Sequence, residues 1–236
     1  MKRLVLALQL LTRLPLPSVK AAEADFAAAI RWFPAAGLVV GGCVALAAAL
    51  GARVDPWAGA LAGLIAWVAV TGALHLDGLG DIADGAGAAH GDRAHLSAVL
   101  ADPHIGSFGV VAIVMQLLTK LLLLRLWLAV FPVWLLMPLA MVARIGPLIW
   151  TRWLPPLHEG LASRFSAGWS SSALLLWCGV ALAFSWWAPG LLAATVLIPL
   201  WRLWLRSRIG GISGDGHGAG IELVESGLLV AMLVLR

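Results

Sequence analysis

Long apolar runs and short polar breaks alternate along the whole chain. Runs near 30–50, 57–75, 108–130, 132–150, 172–188, 190–205 and 221–235 approach the roughly 20 residues that cross a hydrocarbon layer as a helix. A helix is expected because it satisfies its own backbone hydrogen bonds where no water can. The pattern predicts an all-α, polytopic membrane protein with about seven transmembrane helices. FPVW and WWAPG divide the stretches 108–150 and 172–205 into helical hairpins. No long polar linker interrupts the series, so residues 1–236 are expected to form one integral-membrane domain. The opening MKRLVLALQLLTRLPLPSVK is broken by Arg13 and two prolines and has no A-x-A pattern. It is expected to remain as an amphipathic or interfacial segment and not to act as a signal peptide.

Composition supports the membrane assignment. Of 236 residues, 61% are hydrophobic and 12% charged, against roughly 25% charged in soluble domains. The net charge of +4 comes from scattered basic residues with no basic stripe, so no nucleic-acid partner is expected. Cys43 and Cys178 lie in apolar runs, where they read as core filler and not as a disulfide or metal site. With seven spans and a cytoplasmic N-terminus, ten basic residues from Lys2 to Arg208 fall inside and only Arg53 and Arg236 outside. The positive-inside rule then favours a multi-pass protein of the cytoplasmic membrane, N-in and C-out, with its polar loops cytoplasmic. Trp57, Trp150, Trp153, Trp186 and Trp187 lie near the proposed span ends, as lipid-facing interface anchors would.

Against this apolar background, TGALHLDGLGDIADG is conspicuous. If the second span continues as a helix past Leu74, Asp77, Asp81 and Asp84 follow i, i+4, i+7 spacing and share a face about 60° wide. Carboxylates that converge repel one another unless a cation offsets them. Oxygen donors without cysteine favour a hard divalent ion, Mg²⁺ first. The plain alternative is a wet polar loop whose aspartates cap helices. His75 is a candidate proton carrier or simply an interface residue.

Two further stretches have the same character. Asp102 and His104 lie in ADPHIGSFG at the entry to a span, where helix N–H groups favour phosphate and where Asp also serves as an N-cap. In RSRIGGISGDGHGAGIELVE, Asp215, His217, Glu222 and Glu225 could line a second wall of a metal–phosphate pocket, with Arg202, Arg206 and Arg208 near enough to hold phosphates. Those arginines are equally explained as topology determinants. Arg31, Lys120, Arg125 and Arg144 lie inside spans and must snorkel or face a polar cavity. Arg144 is the one placed at a substrate.

These motifs, in this order, resemble the cobalamin synthase, or adenosylcobinamide-GDP ribazoletransferase, family. LTRLPLP, FPAAGLVVGG, the HLDGLGDIADG core, DPHIGSFG, HEGL, and GGISGD followed by GIELVE cover most of the chain. The resemblance implies a membrane-embedded, Mg²⁺-dependent phosphotransferase. It implies that the 3′-hydroxyl of α-ribazole or its 5′-phosphate attacks the cobinamide-linked phosphate of adenosylcobinamide-GDP, and that GMP leaves. It implies Asp77, Asp81 and Asp84, with Asp215 and Glu222, as metal-site positions, and these aspartates or His75 as catalytic groups. Asp102, His104, Arg144, Arg202, Asp215 and His217 become substrate contacts. Two departures stand out: His104 where many relatives carry arginine, and GDGHGAG in place of a GDTLGA type of sequence. Membrane lipid is the other expected partner, and a homo-oligomer is left open. Two other functions compete with this one. A CDP-alcohol phosphotransferase usually has an A-R after its first acidic pair, which LDGLGDIADG lacks. A cation or cobalt transporter would place its carboxylates near the midplane.

Overall fold

The structure, a computed structural model, describes residues 1–88, 104–157 and 160–235. Asp102, Arg93, Arg236, and His158 and Glu159 of the HEGL motif lie outside the described residues. Among the described residues twelve α-helices follow one another, with no β-strand. They are α1 (Lys2–Leu11), α2 (Glu23–Ala28), α3 (Phe33–Gly51), α4 (Pro56–Thr71), α5 (Leu74–Ala88) and α6 (Ser107–Trp127), then α7 (Leu136–Ala143), α8 (Gly146–Trp153), α9 (Leu161–Gly168), α10 (Ser171–Ser185), α11 (Ala194–Arg208) and α12 (Gly214–Val234).

Helical, polytopic architecture is as expected, but the number of full spans differs. Glu23–Gly51, Ser107–Trp127, Val133–Trp153 and Gly214–Val234 are long and apolar enough to cross a membrane. A fifth span arises if α4 and α5 count as one broken element, bent by 83°. Expected spans five and six are not full spans, because α10 and α11 have only 15 residues each. At 1.5 Å per residue, that is about 22 Å against a hydrocarbon core of about 30 Å.

The bend follows from local sequence. Gly72 (φ 62°) and Ala73 (φ 58°) are both left-handed. Gly72 N–H donates to Ala69 O and Ala73 N–H to Val68 O, the paired bonds of a Schellman stop. Arg13 N–H donates to Val70 O at 2.8 Å, so the LTRLP segment fastens onto the end of α4. The chain then restarts as α5, and the aspartates occupy a separate helix and not the tail of a span.

Small residues set the main packing. Gly37 and Gly41 of α3 face α7 so closely that a Cβ at either would strike the backbone at Ala140 or Leu136. Spacing of four puts both on one helix face, the small-xxx-small arrangement that lets helices approach in lipid. The most enclosed span is Val133–Trp153, broken into α7 and α8 at Arg144. Trp150 is wholly buried there with Nε1 donating to Ile198 O, so it is not the interface anchor that its position suggested; Trp57, Trp153, Trp186 and Trp187 are exposed. Cys178 is also exposed, on α10, and Cys43 half-buried.

Gly41→Leu is expected to cost about 3 kcal/mol through overpacking, a fall of roughly 6–12 °C in melting midpoint. Thermal unfolding of detergent-solubilised protein checks this.

Candidate active site

Three helices build the acidic region. The α5 helix lies chiefly against α12 and α6, and glycines bring the first two together. A Cβ on Gly78 would lie 2.8 Å from the Asp215 Cα, and one on Gly218 would lie 3.2 Å from the His75 Cα. Ser213 caps α12, its hydroxyl accepting from Gly216 N–H at 3.0 Å. Asp215 thus falls in the first turn of α12, beside the α5 face that carries the aspartates. Asp81 stands close enough to Asp215, Asp77 and Asp84 for their charges to act on it. Asp77 is exposed, and Asp81 and Asp215 are partly exposed.

Asp84 has a further engagement. It is buried, and its two carboxylate oxygens accept from Gly106 N–H at 2.7 Å and Gly109 N–H at 2.9 Å. It therefore caps the start of α6, satisfying amides that a helix beginning leaves without partners. His104 is exposed just before that turn. Among the described residues, no three His, Cys, Asp or Glu side chains stand together so as to hold a metal ion by themselves.

Beneath this face lies a buried ionic network. Lys120 Nζ of α6 is 2.7 Å from Glu222 Oε2 and 2.5 Å from Glu225 Oε2, while Arg144 Nη1 is 2.7 Å from Glu225 Oε1. All four residues are at most 2% exposed. Gln116 Nε2 donates to Glu222 Oε2 and Ser226 Oγ at 2.9 Å each, and Arg144 Nη1 also donates to Ala140 O. The Trp67 ring lies 4.2 Å from Lys120 Nζ, a favourable cation–π placement. Two cations and two carboxylates balance formally, which is how charge survives in a low-dielectric interior. The structure thus places Arg144 and Glu222, expected respectively at the substrate and the metal, in helix-to-helix ion pairs, with Arg144 Nε and Nη2 left without hydrogen-bond partners. Sequence alone left Lys120 and Gln116 without this role; the clue was lone polar residues on separate apolar helices, which need one another.

His75 and His217 are also buried. Neither ring nitrogen of His75 has a hydrogen-bond partner, nor does His217 Nδ1, whereas His217 Nε2 is 3.3 Å from Thr151 Oγ1. The His217 ring stacks near Trp150, centroids 6.0 Å apart. Both histidines and Asp215 line one cavity of about 170 Å³. Arg202 lies on α11, half-buried, and its Nε has no hydrogen-bond partner. Elsewhere Arg31 Nε donates to Gly168 O at 2.6 Å, and Arg125 lies over the Trp57 ring.

This arrangement joins the HLDGLGDIADG and GGISGD motifs across one helix contact. Residues 3–233 match the family described as cobalamin-5-phosphate synthase. The chain belongs to that family. A relative from Novosphingobium aromaticivorans named adenosylcobinamide-GDP ribazoletransferase is 55% identical, over 99% of this chain and 97% of the relative. Proteins of the same name from Thiobacillus denitrificans and Brevibacillus brevis are 48% and 32% identical, over 98% and 96% of this chain and 94% and 96% of theirs. No solved structure matches the chain.

Two outcomes follow. Lys120→Met strands the Glu222 carboxylate and is expected to cost about 3–5 kcal/mol; adding Glu222→Gln should recover more than half of that, as read from melting midpoints of the single and double variants. Asp84→Ala removes the α6 cap and is expected to cost about 1–2 kcal/mol, visible as faster hydrogen exchange at the Gly106 and Gly109 amides.

Proposed function

We propose that the chain transfers the adenosylcobinamide-phosphate moiety of adenosylcobinamide-GDP to α-ribazole or its 5′-phosphate, releasing GMP. Family membership supports the substrate class. The observation that carries the reading is the meeting of the α5 aspartates with Asp215 across a glycine contact, which gathers carboxylates from two distant motifs at one partly open surface.

The donor set fits Mg²⁺ in one particular way. Among the described residues the carboxylates do not form a closed cage. Mg²⁺, however, commonly keeps several waters and takes only one or two carboxylates, completing its shell with substrate phosphates. Asp81 and Asp215, with the exposed Asp77, offer hard oxygen atoms suited to such a site. Asp77, Asp81 and Asp215 would hold the ion, with Asp84 fixing the α6 start beside them. When bound, Mg²⁺ supplies positive charge that offsets the bridging and leaving oxygens of a diphosphate.

The remaining chemistry belongs to the chain and the acceptor. The ribose hydroxyl oxygen bonds to the cobinamide-linked phosphorus, the bond from that phosphorus to the bridging oxygen breaks, and GMP departs with that oxygen. The hydroxyl proton passes to an acidic-cluster carboxylate or to His75, whose ring nitrogens have no other partner. Arg202 and its neighbours Arg206 and Arg208 at the end of α11 are placed to meet phosphate oxygens.

The same reading carries an orientation. Five spans with a cytoplasmic N-terminus put the α5 aspartates inside, and the short α10 and α11, counted as a pair that does not change sides, bring Asp215 back to that side. The basic residues between α8 and α12 then remain cytoplasmic, in keeping with the positive-inside rule. We accordingly place the site at the cytoplasmic face of the inner membrane.

The test is GMP release by purified protein in liposomes supplied with adenosylcobinamide-GDP, α-ribazole 5′-phosphate and Mg²⁺. Asp81→Asn is expected to lower turnover by at least about 100-fold, a loss at the upper end of that seen when metal-site support is removed, with its melting midpoint unchanged. Wild-type turnover by this variant at saturating Mg²⁺ would remove Asp81 from the metal site.

A further inference from the structure

The cavity that holds His75 and His217 lies between α1, α3, α5, α9 and α12. Its walls include Leu11, Phe33, Phe165 and Ile221, and its polar lining is Asp215, His75 and His217. Phe33 and Phe165 meet edge to face with centroids 5.3 Å apart. The lining is therefore aromatic and aliphatic with a few polar groups, the usual make-up of a small-molecule site.

Two observations make it more than a packing gap. His75 is 2% exposed with neither ring nitrogen partnered, and His217 is 6% exposed with a free Nδ1. Buried polar atoms without partners are uncommon and call for a ligand or a water. Size then narrows the ligand. About 170 Å³ is well under the roughly 300 Å³ at which sites for drug-sized ligands begin. A corrin macrocycle is excluded, while a flat bicyclic ring fits. Lastly, the cavity shares Asp215 with the acidic cluster, so it adjoins the acidic surface.

We propose that this cavity receives the aromatic nitrogen heterocycle of the nucleoside acceptor. The proposal rests on the transferase reading above and adds where its acceptor binds. One histidine N–H donates to the unsubstituted ring nitrogen of the base, Phe33 and Phe165 pack against the ring, and the attached ribose emerges beside Asp215. The acceptor is then oriented before the donor arrives, which is where much of the advantage of an enzyme-bound bimolecular reaction comes from. Pairing through a ring nitrogen and enclosure by aromatic walls select an aromatic base over a simple alcohol, because an aliphatic acceptor would leave the histidine nitrogens without partners.

The test fills the cavity and reads acceptor binding apart from catalysis. α-Ribazole binding to detergent-solubilised protein is measured by calorimetry without donor or Mg²⁺, for wild type, Leu11→Trp and Ile221→Phe. Acceptor KM and donor KM are measured in liposomes with both substrates. Wild type is expected to bind α-ribazole saturably, and each folded filling variant to weaken it at least tenfold. Acceptor KM should rise by a similar factor while donor KM stays within twofold. Two filling variants from different helices guard against one failing to fold, with melting midpoints as the control. His217→Gln, which keeps one hydrogen-bonding end, should weaken binding less than His217→Leu; a purely structural role would move the melting midpoint and leave acceptor KM alone. Unchanged α-ribazole affinity in a folded filled variant overturns the proposal, since the cavity would then hold only water or a lipid chain. So does absence of α-ribazole binding by wild type. Absence of GMP release alongside α-ribazole binding that the filling variants abolish would overturn the transferase reading and leave the cavity assignment standing.

Discussion

Charge in a low-dielectric interior must be paired, and that requirement organises this protein. Lys120, Arg144, Glu222 and Glu225 come from the middle of the fold on α6, the α7–α8 break and α12, and each is buried. None of them is tolerable there alone. Because the partners sit on different helices, satisfying the charges fixes how α12 docks against its neighbours. The glutamates sit two and three turns down the same helix from Asp215, so the network that balances charge also fixes the start of α12. A purely apolar seam would hold the helices together but would permit sliding and rotation. Specific ion pairs with short distances do not.

Against that fixed helix, the chain places a broken one. The Schellman stop at Gly72 and Ala73 turns α5 away from α4, and the absent side chains of Gly78 and Gly218 let it lie on α12 at backbone contact. Carboxylates crowd together here because the helices that carry them cannot separate. Asp84 shows that the cluster is not functionally uniform: its oxygens are engaged with the α6 amides, whereas Asp77, Asp81 and Asp215 retain exposure. The acids thus divide between one bonded into the fold and others left open at the surface. His75 and His217 face a small cavity that shares Asp215, linking the polar surface to a slot with apolar walls.

Much of this was legible in the residues. The apolar runs gave helices, and i, i+4, i+7 spacing correctly put Asp77, Asp81 and Asp84 on one face. The span count was not legible, because hydropathy measures greasiness and not length: α10 and α11 are apolar over most of their course yet only 15 residues long. Nor could periodicity reveal the 83° bend, which depends on two consecutive left-handed residues, one of them an alanine. Trp150 looked like an interface anchor because its distance from a span end is visible in sequence and its burial is not. A charge in a span, as at Arg144 and Glu222, signals function without saying toward what it points, and sequence does not show the ion pairs these two make. Lys120, the partner of Glu222, is about a hundred residues from it in sequence, and only the packed fold brings the two together.

The most direct measurement asks whether α5 and α12 present their carboxylates to one another in the membrane. With Cys43→Ala and Cys178→Ala as background, Asp81→Cys and Asp215→Cys are combined, and Cd²⁺ binding to the liposome-embedded protein is titrated. If the two helices meet as described, the double variant binds one Cd²⁺ per chain at least about 100-fold more tightly than either single variant, as two thiolates sharing a soft ion should. Equal, weak binding by double and single variants would mean that the two motifs do not face each other, and the account of the site would fail.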